Sequence, residues 1–180
     1  MSDVQRLLDE AAIRRVHLDY CRGIDRRDWE LVRACYHVDA IDHHGPFTGG
    51  VDEFIDWARD VLDPVVSTTH FVGNQIVDVD GDTAWHEAYC IAFHRFAARE
   101  AEPAVDWVVN VRYLDRVERR DGKWKIADRL VVHDSDRRDL VAGNGELSPG
   151  WLSGGFSPDD PSYNRSATWA QLLAESVLRN

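Results

Sequence analysis

Four side chains in this sequence have types suited to proton transfer and charge stabilisation, and they lie far apart along it. Tyr20 and Asp25 are five residues apart near the N-terminus, His70 sits in Thr68-Thr69-His70-Phe71, and Arg129 follows much later. A histidine titrates near neutrality and is the usual general base. An arginine is a permanent cation for developing negative charge. A tyrosine offers a hydroxyl donor. Each also has a plain structural use. Asp25, with Asp28 three residues on, can cap a helix. His70 can be a hydrogen-bonded core histidine, Tyr20 a core tyrosine, and Arg129 the ion-pair partner of Asp128 or Asp115.

Other chemistry-bearing runs are weaker. Asp42-His43-His44 has metal-ligand types, but adjacent residues on a strand face opposite ways, so no metal is expected there. Gly143-Asn144-Gly145 lacks the third glycine of a dinucleotide loop. His133-Asp134-Ser135 holds triad types without triad geometry. Asn164-Arg165-Ser166 is a glycosylation acceptor that matters only in a secreted chain. The three cysteines, Cys21, Cys35 and Cys90, are odd in number and widely spaced, which fits reduced thiols and a cytoplasmic location. No apolar N-terminal signal region or membrane-length run is present.

The elements that must hold these residues follow from periodicity. A helix capped by Ser2 or Asp3 carries Val4, Leu8, Ala12, Val16 and Tyr20 on one ladder and is expected to stop at Gly23. Asp25 then precedes a short helix to about Ala34, with Trp29 and Leu31 as buried positions. Tyr36 to His43 reads as a strand, with breakers at His44-Gly45-Pro46 and Gly49-Gly50. Val51 to Leu62 reads as a helix burying Phe54, Ile55, Ala58 and Leu62, ended by Pro64. Strands follow over Val65–Val79, Thr83–Phe96, Ala104–Glu118 and Lys123–Asp134. Helices first and long antiparallel strands after them define an α+β fold. Residues 1–138 form the domain. Residues 139–180 form an extension, a loop rich in Gly, Pro, Ser, Asn and Asp followed by a helix over Ala167–Leu178. Its aromatics Trp151, Phe156 and Tyr163 suit a lid or a subunit contact.

Strand parity sketches a pocket. If Arg129 points inward, so do Val131 and His133. Val109, Val111 and Tyr113 then face it from the neighbouring strand, and the small set Ala88, Cys90 and Ala92 from the next. His133, with His86 and His94 in second rank, adds polar groups. Trp85, Tyr89, Ile91 and Phe93 turn outward, and an apolar outer face of that size wants cover by a further subunit. The chain has 180 residues and a net charge of −11. That length suits one domain, and that charge makes nucleic acid or an anionic membrane surface a poor partner.

The element order, together with Glu118-Arg119-Arg120-Asp121-Gly122-Lys123-Trp124-Lys125-Ile126 as penultimate turn and last strand, resembles the nuclear-transport-factor-2-like cone. In this fold a curved antiparallel sheet holds N-terminal helices on its concave face as an α+β barrel. The set Tyr20, Asp25, His70 and Arg129 is similar to the SnoaL-like branch, over residues 3 to 138. That branch includes scytalone dehydratase, hexachlorocyclohexane dehydrochlorinase and bile-acid 7α-dehydratase, and the four-residue set is closest to the last. The dehydrochlorinase has a lysine where this chain has Tyr20. The resemblance implies a cofactor-free lyase acting on a hydrophobic, polycyclic or steroid-like hydroxy-ketone. It implies His70 as base, Asp25 as its orienting carboxylate, and Arg129 with Tyr20 stabilising charge on oxygen. It also implies a homotrimer. An enone isomerase, a halide eliminase and a non-catalytic ligand-binding or oxygenase small-subunit module use the same cone and remain open readings.

Overall fold

A computed structural model describes residues 2–99, 102–142 and 152–177. Helix α1 (Asp3–Arg26) is capped by Ser2, whose hydroxyl accepts from Gln5 N at 3.2 Å. It runs on past Gly23 and ends where Arg27 adopts φ 52°. Gly23 serves a different purpose from a stop. A Cβ there would lie 2.7 Å from Val32 Cγ2, so the glycine lets α1 and α2 (Trp29–Ala34) pack in contact. The cap of α2 is Asp28, which accepts from Leu31 N at 3.1 Å, and not Asp25. Val32 is the residue α2 buries; Trp29 and Leu31 are half-buried.

The buried stripe of α1 also differs from the expected ladder. Asp9, Ile13, His17, Tyr20, Cys21 and Ile24 face inward, whereas Val4 and Leu8 are exposed; Asp9 takes the inward position there and accepts from Trp124 and Arg119 of the sheet. Strand β1 (Tyr36–His44) turns through Gly45, at φ 62°, into the short β2 (Phe47–Gly49). Helix α3 (Val51–Leu62) buries Phe54, Ile55, Ala58 and Leu62 as the pattern requires. Strands β3 (Val65–Asp80), β4 (Thr83–Phe96), β5 (Val105–Arg120) and β6 (Lys123–Leu140) complete the sheet.

The sheet order is β2-β1-β6-β5-β4-β3, curved and not closed into a barrel. All pairs are antiparallel except β1 with β6, which is parallel. The main core lies between the helices and the concave face, centred on Tyr20, Tyr36, Phe54, Ile55 and Tyr113. Alternation on β4 holds as read: Ala84, His86, Ala88, Cys90 and Ala92 are buried, while Trp85, Tyr89 and Ile91 are exposed. Phe93 is half-covered rather than fully outward.

The extension clasps the end of α1. Ser157 N donates to Arg26 O at 2.7 Å, the Arg27 guanidinium lies 3.8 Å from the Phe156 ring centroid, and Tyr163 donates to Asp28 Oδ2 at 2.8 Å. Trp151 lies outside the described residues. The last helix, α4, spans Trp169–Val177 and buries Leu172.

Candidate active site

Because Asp28 caps α2, Asp25 is free of backbone duty on its own helix. It faces β3 from the last turn of α1, and among the described residues its carboxylate hydrogen-bonds to His70 alone. Its Oδ1 lies 2.7 Å from His70 Nδ1, and its two oxygens accept from the His70 backbone N at 3.1 and 3.0 Å. Both side chains are largely shielded, 8% exposed for His70 and 14% for Asp25. An ionised carboxylate only accepts, so the ring proton sits on Nδ1 and Nε2 carries the free lone pair. Burial alone pulls the ring's pKa down; the hydrogen bond and the charge of Asp25 outweigh it and hold it above the usual histidine value.

The imidazole lines a cavity of about 440 Å³, within the range of small-molecule sites. The walls come from α1 (Tyr20, Ile24), α3 (Phe54, Trp57, Ala58), β4 (Ala92, His94), β5 (Trp107, Val109, Val111, Tyr113) and β6 (Val131, His133). The β1 end (His44, Gly45, Pro46) closes the rest. The lining is mostly apolar, with imidazoles and phenols as its polar groups. His94 stands beside the dyad, its ring centroid 5.6 Å from that of His70 and its Nδ1 2.9 Å from Thr68 Oγ1. Burial, then the neighbouring His70, drive its pKa down to about 4, so it is neutral near pH 7.

Of the residues read from sequence, Tyr20, His70, Val109, Val111, Tyr113, Val131 and His133 line the cavity. Asp25 stands directly behind His70. Ala88 and Cys90 point inward but lie deeper, 0% and 2% exposed in the core, and do not reach the wall. Ala92, further along the same face of β4, is the one that does. His86 is likewise below the cavity, with Nε2 3.2 Å from Gln75 Oε1.

Arg129 also sits lower than a substrate-contacting residue. It is 0% exposed and absent from the cavity wall. Its Nε and Nη2 hold both oxygens of Asp115 at 2.7 Å, and its Nη1 donates to Tyr36 at 3.1 Å. Its Nη2 also lies 3.1 Å from His17 Nδ1. The guanidinium is stacked 4.0 Å from the Tyr20 ring centroid and 4.6 Å from that of Tyr113. It therefore reaches the cavity through these two rings. Burial holds the Tyr20 phenol well above its ordinary pKa, although the Arg129 charge opposes that rise, so the hydroxyl keeps its proton and can donate it.

The metal-ligand types His17, His86 and Asp115 do come within reach of one another. Arg129 occupies both Asp115 oxygens and brings a fixed positive charge, so this cluster is a buried ion-pair core and does not suit a cation. In the Asp42-His43-His44 run, alternation separates the histidines as expected. His43 faces Thr48 and Asp128, while His44 faces the cavity. Metal-ligand spacing in this run does not single out His44. The signal was the spacing of Asp42 and His44, two apart on a strand and so on one face.

The fold that carries this site agrees with the comparisons. The SnoaL-like domain model matches residues 5–130, and the chain belongs to that family. An uncharacterized protein of Mycobacterium tuberculosis is 28% identical over 135 residues, covering 72% of this chain and 88% of that one. Hexachlorocyclohexane dehydrochlorinase 1 of Sphingobium indicum is 28% identical over 134 residues, covering 71% of this chain and 82% of its own length. A solved type 2 hexachlorocyclohexane dehydrochlorinase (LinA) superposes with a TM-score of 0.68 at 25% identity, covering 83% of this chain and all of that one. No helix among the described residues is long and apolar enough to cross a membrane.

Proposed function

We propose that this chain is a cofactor-independent carbon–oxygen lyase that dehydrates a hydrophobic, polycyclic or steroid-like hydroxy-ketone. The observation that carries the reading is the 2.7 Å contact between Asp25 Oδ1 and His70 Nδ1 at the wall of an apolar cavity. His70 Nε2 takes the proton α to the carbonyl. Asp25 holds the tautomer and stabilises the imidazolium that forms. The Tyr20 hydroxyl donates to the carbonyl oxygen as it gains charge, and the stacked Arg129 strengthens that donation. The carbon–oxygen bond β to the carbonyl then breaks. General base catalysis contributes ~10² to 10⁴-fold, and positioning in the chamber supplies the rest.

Halide elimination is the second reading, favoured by the dehydrochlorinase similarity. Proton abstraction is common to both, and to an enone isomerase. The test is a panel of β-hydroxy ketones from one ring to steroid size, followed by mass spectrometry for loss of one water and by enone absorbance. Turnover abolished by His70→Ala and Asp25→Ala, with ligand binding retained, is the expected result. Turnover indifferent to both substitutions overturns the role of the dyad; ligand binding with no loss of water from any member of the panel overturns the lyase reading and leaves a binding module. The exposed belt of Trp85, Tyr89, Ile91, Phe71 and Ile76 on the outer sheet face supports cover by a further subunit, and the family resemblance favours a homotrimer; light scattering on the purified protein reads the mass directly. The buried, free Cys21, Cys35 and Cys90 fit a reducing cytoplasm.

A further inference from the structure

The elimination needs two proton carriers, and only one is accounted for by the dyad. Hydroxide is a poor leaving group and departs readily only as water, so a donor must meet the leaving oxygen. Arg129 is sealed below the cavity, and Tyr20 is committed to the carbonyl. A second carboxylate–imidazole pair faces the same chamber from another element. Asp42 and His44 share the inner face of β1. Asp42 is 1% exposed and accepts from the Tyr36 hydroxyl through Oδ2 at 2.7 Å. Its other oxygen, Oδ1, has no hydrogen-bond partner among the described residues. The Nδ1 of His44 is also buried without one among those residues, and the two atoms are 3.4 Å apart. Orphaned buried polar atoms are rare and costly. A proton on His44 Nδ1, with a small ring rotation toward Oδ1, satisfies both at once. The ring is otherwise held by stacking, its centroid 5.3 Å from that of Phe54 and 5.5 Å from that of Trp57. With Nδ1 buried on Asp42, Nε2 is the nitrogen left to face the cavity.

We propose that His44, oriented by Asp42, is the catalytic acid that protonates the leaving hydroxyl while His70 takes the proton from carbon. This rests on the lyase reading above. In the step the Cα–H bond breaks and its proton goes to His70 Nε2. The electron pair forms the Cα=Cβ bond, the Cβ–O bond breaks, and the oxygen leaves as water with the proton from His44 Nε2. His44 ends neutral and His70 cationic; exchange with solvent restores both. Behind His44 the hydrogen bonds run from Asp42 through Tyr36 and Arg129 to Asp115. The buried ion pair therefore anchors the acid as well as packing under Tyr20.

The test separates proton abstraction from leaving-group departure with three probes. They are the benzaldehyde–acetone aldol, its acetate ester, and benzylacetone, which has an acidic α-proton and no leaving group. Acetate departs without a proton; hydroxide does not. His44→Gln is expected to slow aldol dehydration by roughly 10² to 10⁴-fold, while elimination from the ester and α-deuterium exchange of benzylacetone in D2O stay near wild-type rates. The ester and exchange rates also report that the variant is folded. Asp42→Asn, which keeps the shape of its side chain, is expected to show the same leaving-group selectivity with a smaller loss. Equal losses on aldol and ester, or no loss on the aldol, overturn the role of His44 while leaving the lyase reading intact. Exchange and elimination that persist at the wild-type rate in His70→Ala overturn His70 as the base, and a wild-type protein that eliminates neither water nor acetate overturns the lyase reading itself.

Discussion

Replacing Asp25 by Asn isolates the charge of the dyad from its shape. Asp25 accepts from His70 at three points, Nδ1 at 2.7 Å and the backbone N at 3.1 and 3.0 Å. An amide keeps one acceptor and turns the other into a donor, so the β3 contact is weakened and the negative charge is gone. A hydrogen bond to a charged group contributes ~1.5–3 kcal/mol, which is about one to two pKa units for the imidazole it supports. In the wild type burial lowers the His70 pKa, and Asp25 reverses that and raises it. In Asp25→Asn burial is left to act, so the His70 pKa falls. His70 must be unprotonated to work, hence kcat/KM rises with pH through its pKa. The expected result is an acidic limb displaced to lower pH by about one to two units, together with a plateau reduced by roughly 10² to 10⁴-fold. NMR titration of the His70 ring and a pH profile of dehydration read the two effects separately. A limb that stays in place or moves to higher pH refutes the assignment of Asp25 as the group that raises the His70 pKa. A plateau at the wild-type rate refutes its role in the reaction.

Three further outcomes follow from the core. His17 and His94 are held neutral by burial with pKa values of about 4, against about 6.5 in the unfolded chain. Their stabilisation is present above pH 6.5 and is lost as pH falls toward 4, on the order of 3 kcal/mol for each; urea unfolding across that range should show the slope, and His94→Gln should remove about half of it. His70 works in the opposite direction, its contribution fading as pH rises through its raised pKa. Arg129→Met leaves Asp115 charged and 1% exposed without its partner, an expected loss of ~3–5 kcal/mol, and adding Asp115→Leu should recover most of it. Gly23→Ala places a Cβ 2.7 Å from Val32 Cγ2, costing about 1–3 kcal/mol by overpacking; Val32→Ala in the same chain should relieve it.

Local chemistry made much of this fold readable. Helix α3 has one apolar face and a proline just beyond its end, and strand β4 alternates without a break; both fall where the pattern puts them. What the pattern cannot express is non-local. Gly23 and Asp25 have the local chemistry of a helix stop and a helix cap. The contact of Gly23 with Val32 and the cap at Asp28 are decided by how α1 meets α2. The parallel pairing of β1 with β6 depends on a strand eighty residues away in sequence, and it is this pairing that brings His44 beside Val131 at the cavity.

Alternation reveals which face a residue takes and not how deep it lies. On β6 the inward residues pass from Arg129, fully buried, through Val131 at the cavity wall, to His133, mostly exposed. On β4 the same passage runs from Ala88 and Cys90 in the core to Ala92 and His94 at the wall. Depth sorts the polar residues by what they can do. At the bottom Arg129 and Asp115 are fixed by each other and by Tyr36, too enclosed to meet a substrate. One layer up, Tyr20 and Tyr113 carry the influence of that charge through their rings. Above them His70 and His44 each have a shielded carboxylate, Asp25 or Asp42, on one side of the imidazole and the cavity on the other. A charge sunk in the core and an imidazole at the wall need different surroundings, and the curved sheet supplies both, with Arg129 and Asp115 low on β6 and β5 and with His70 and His44 at the cavity on β3 and β1.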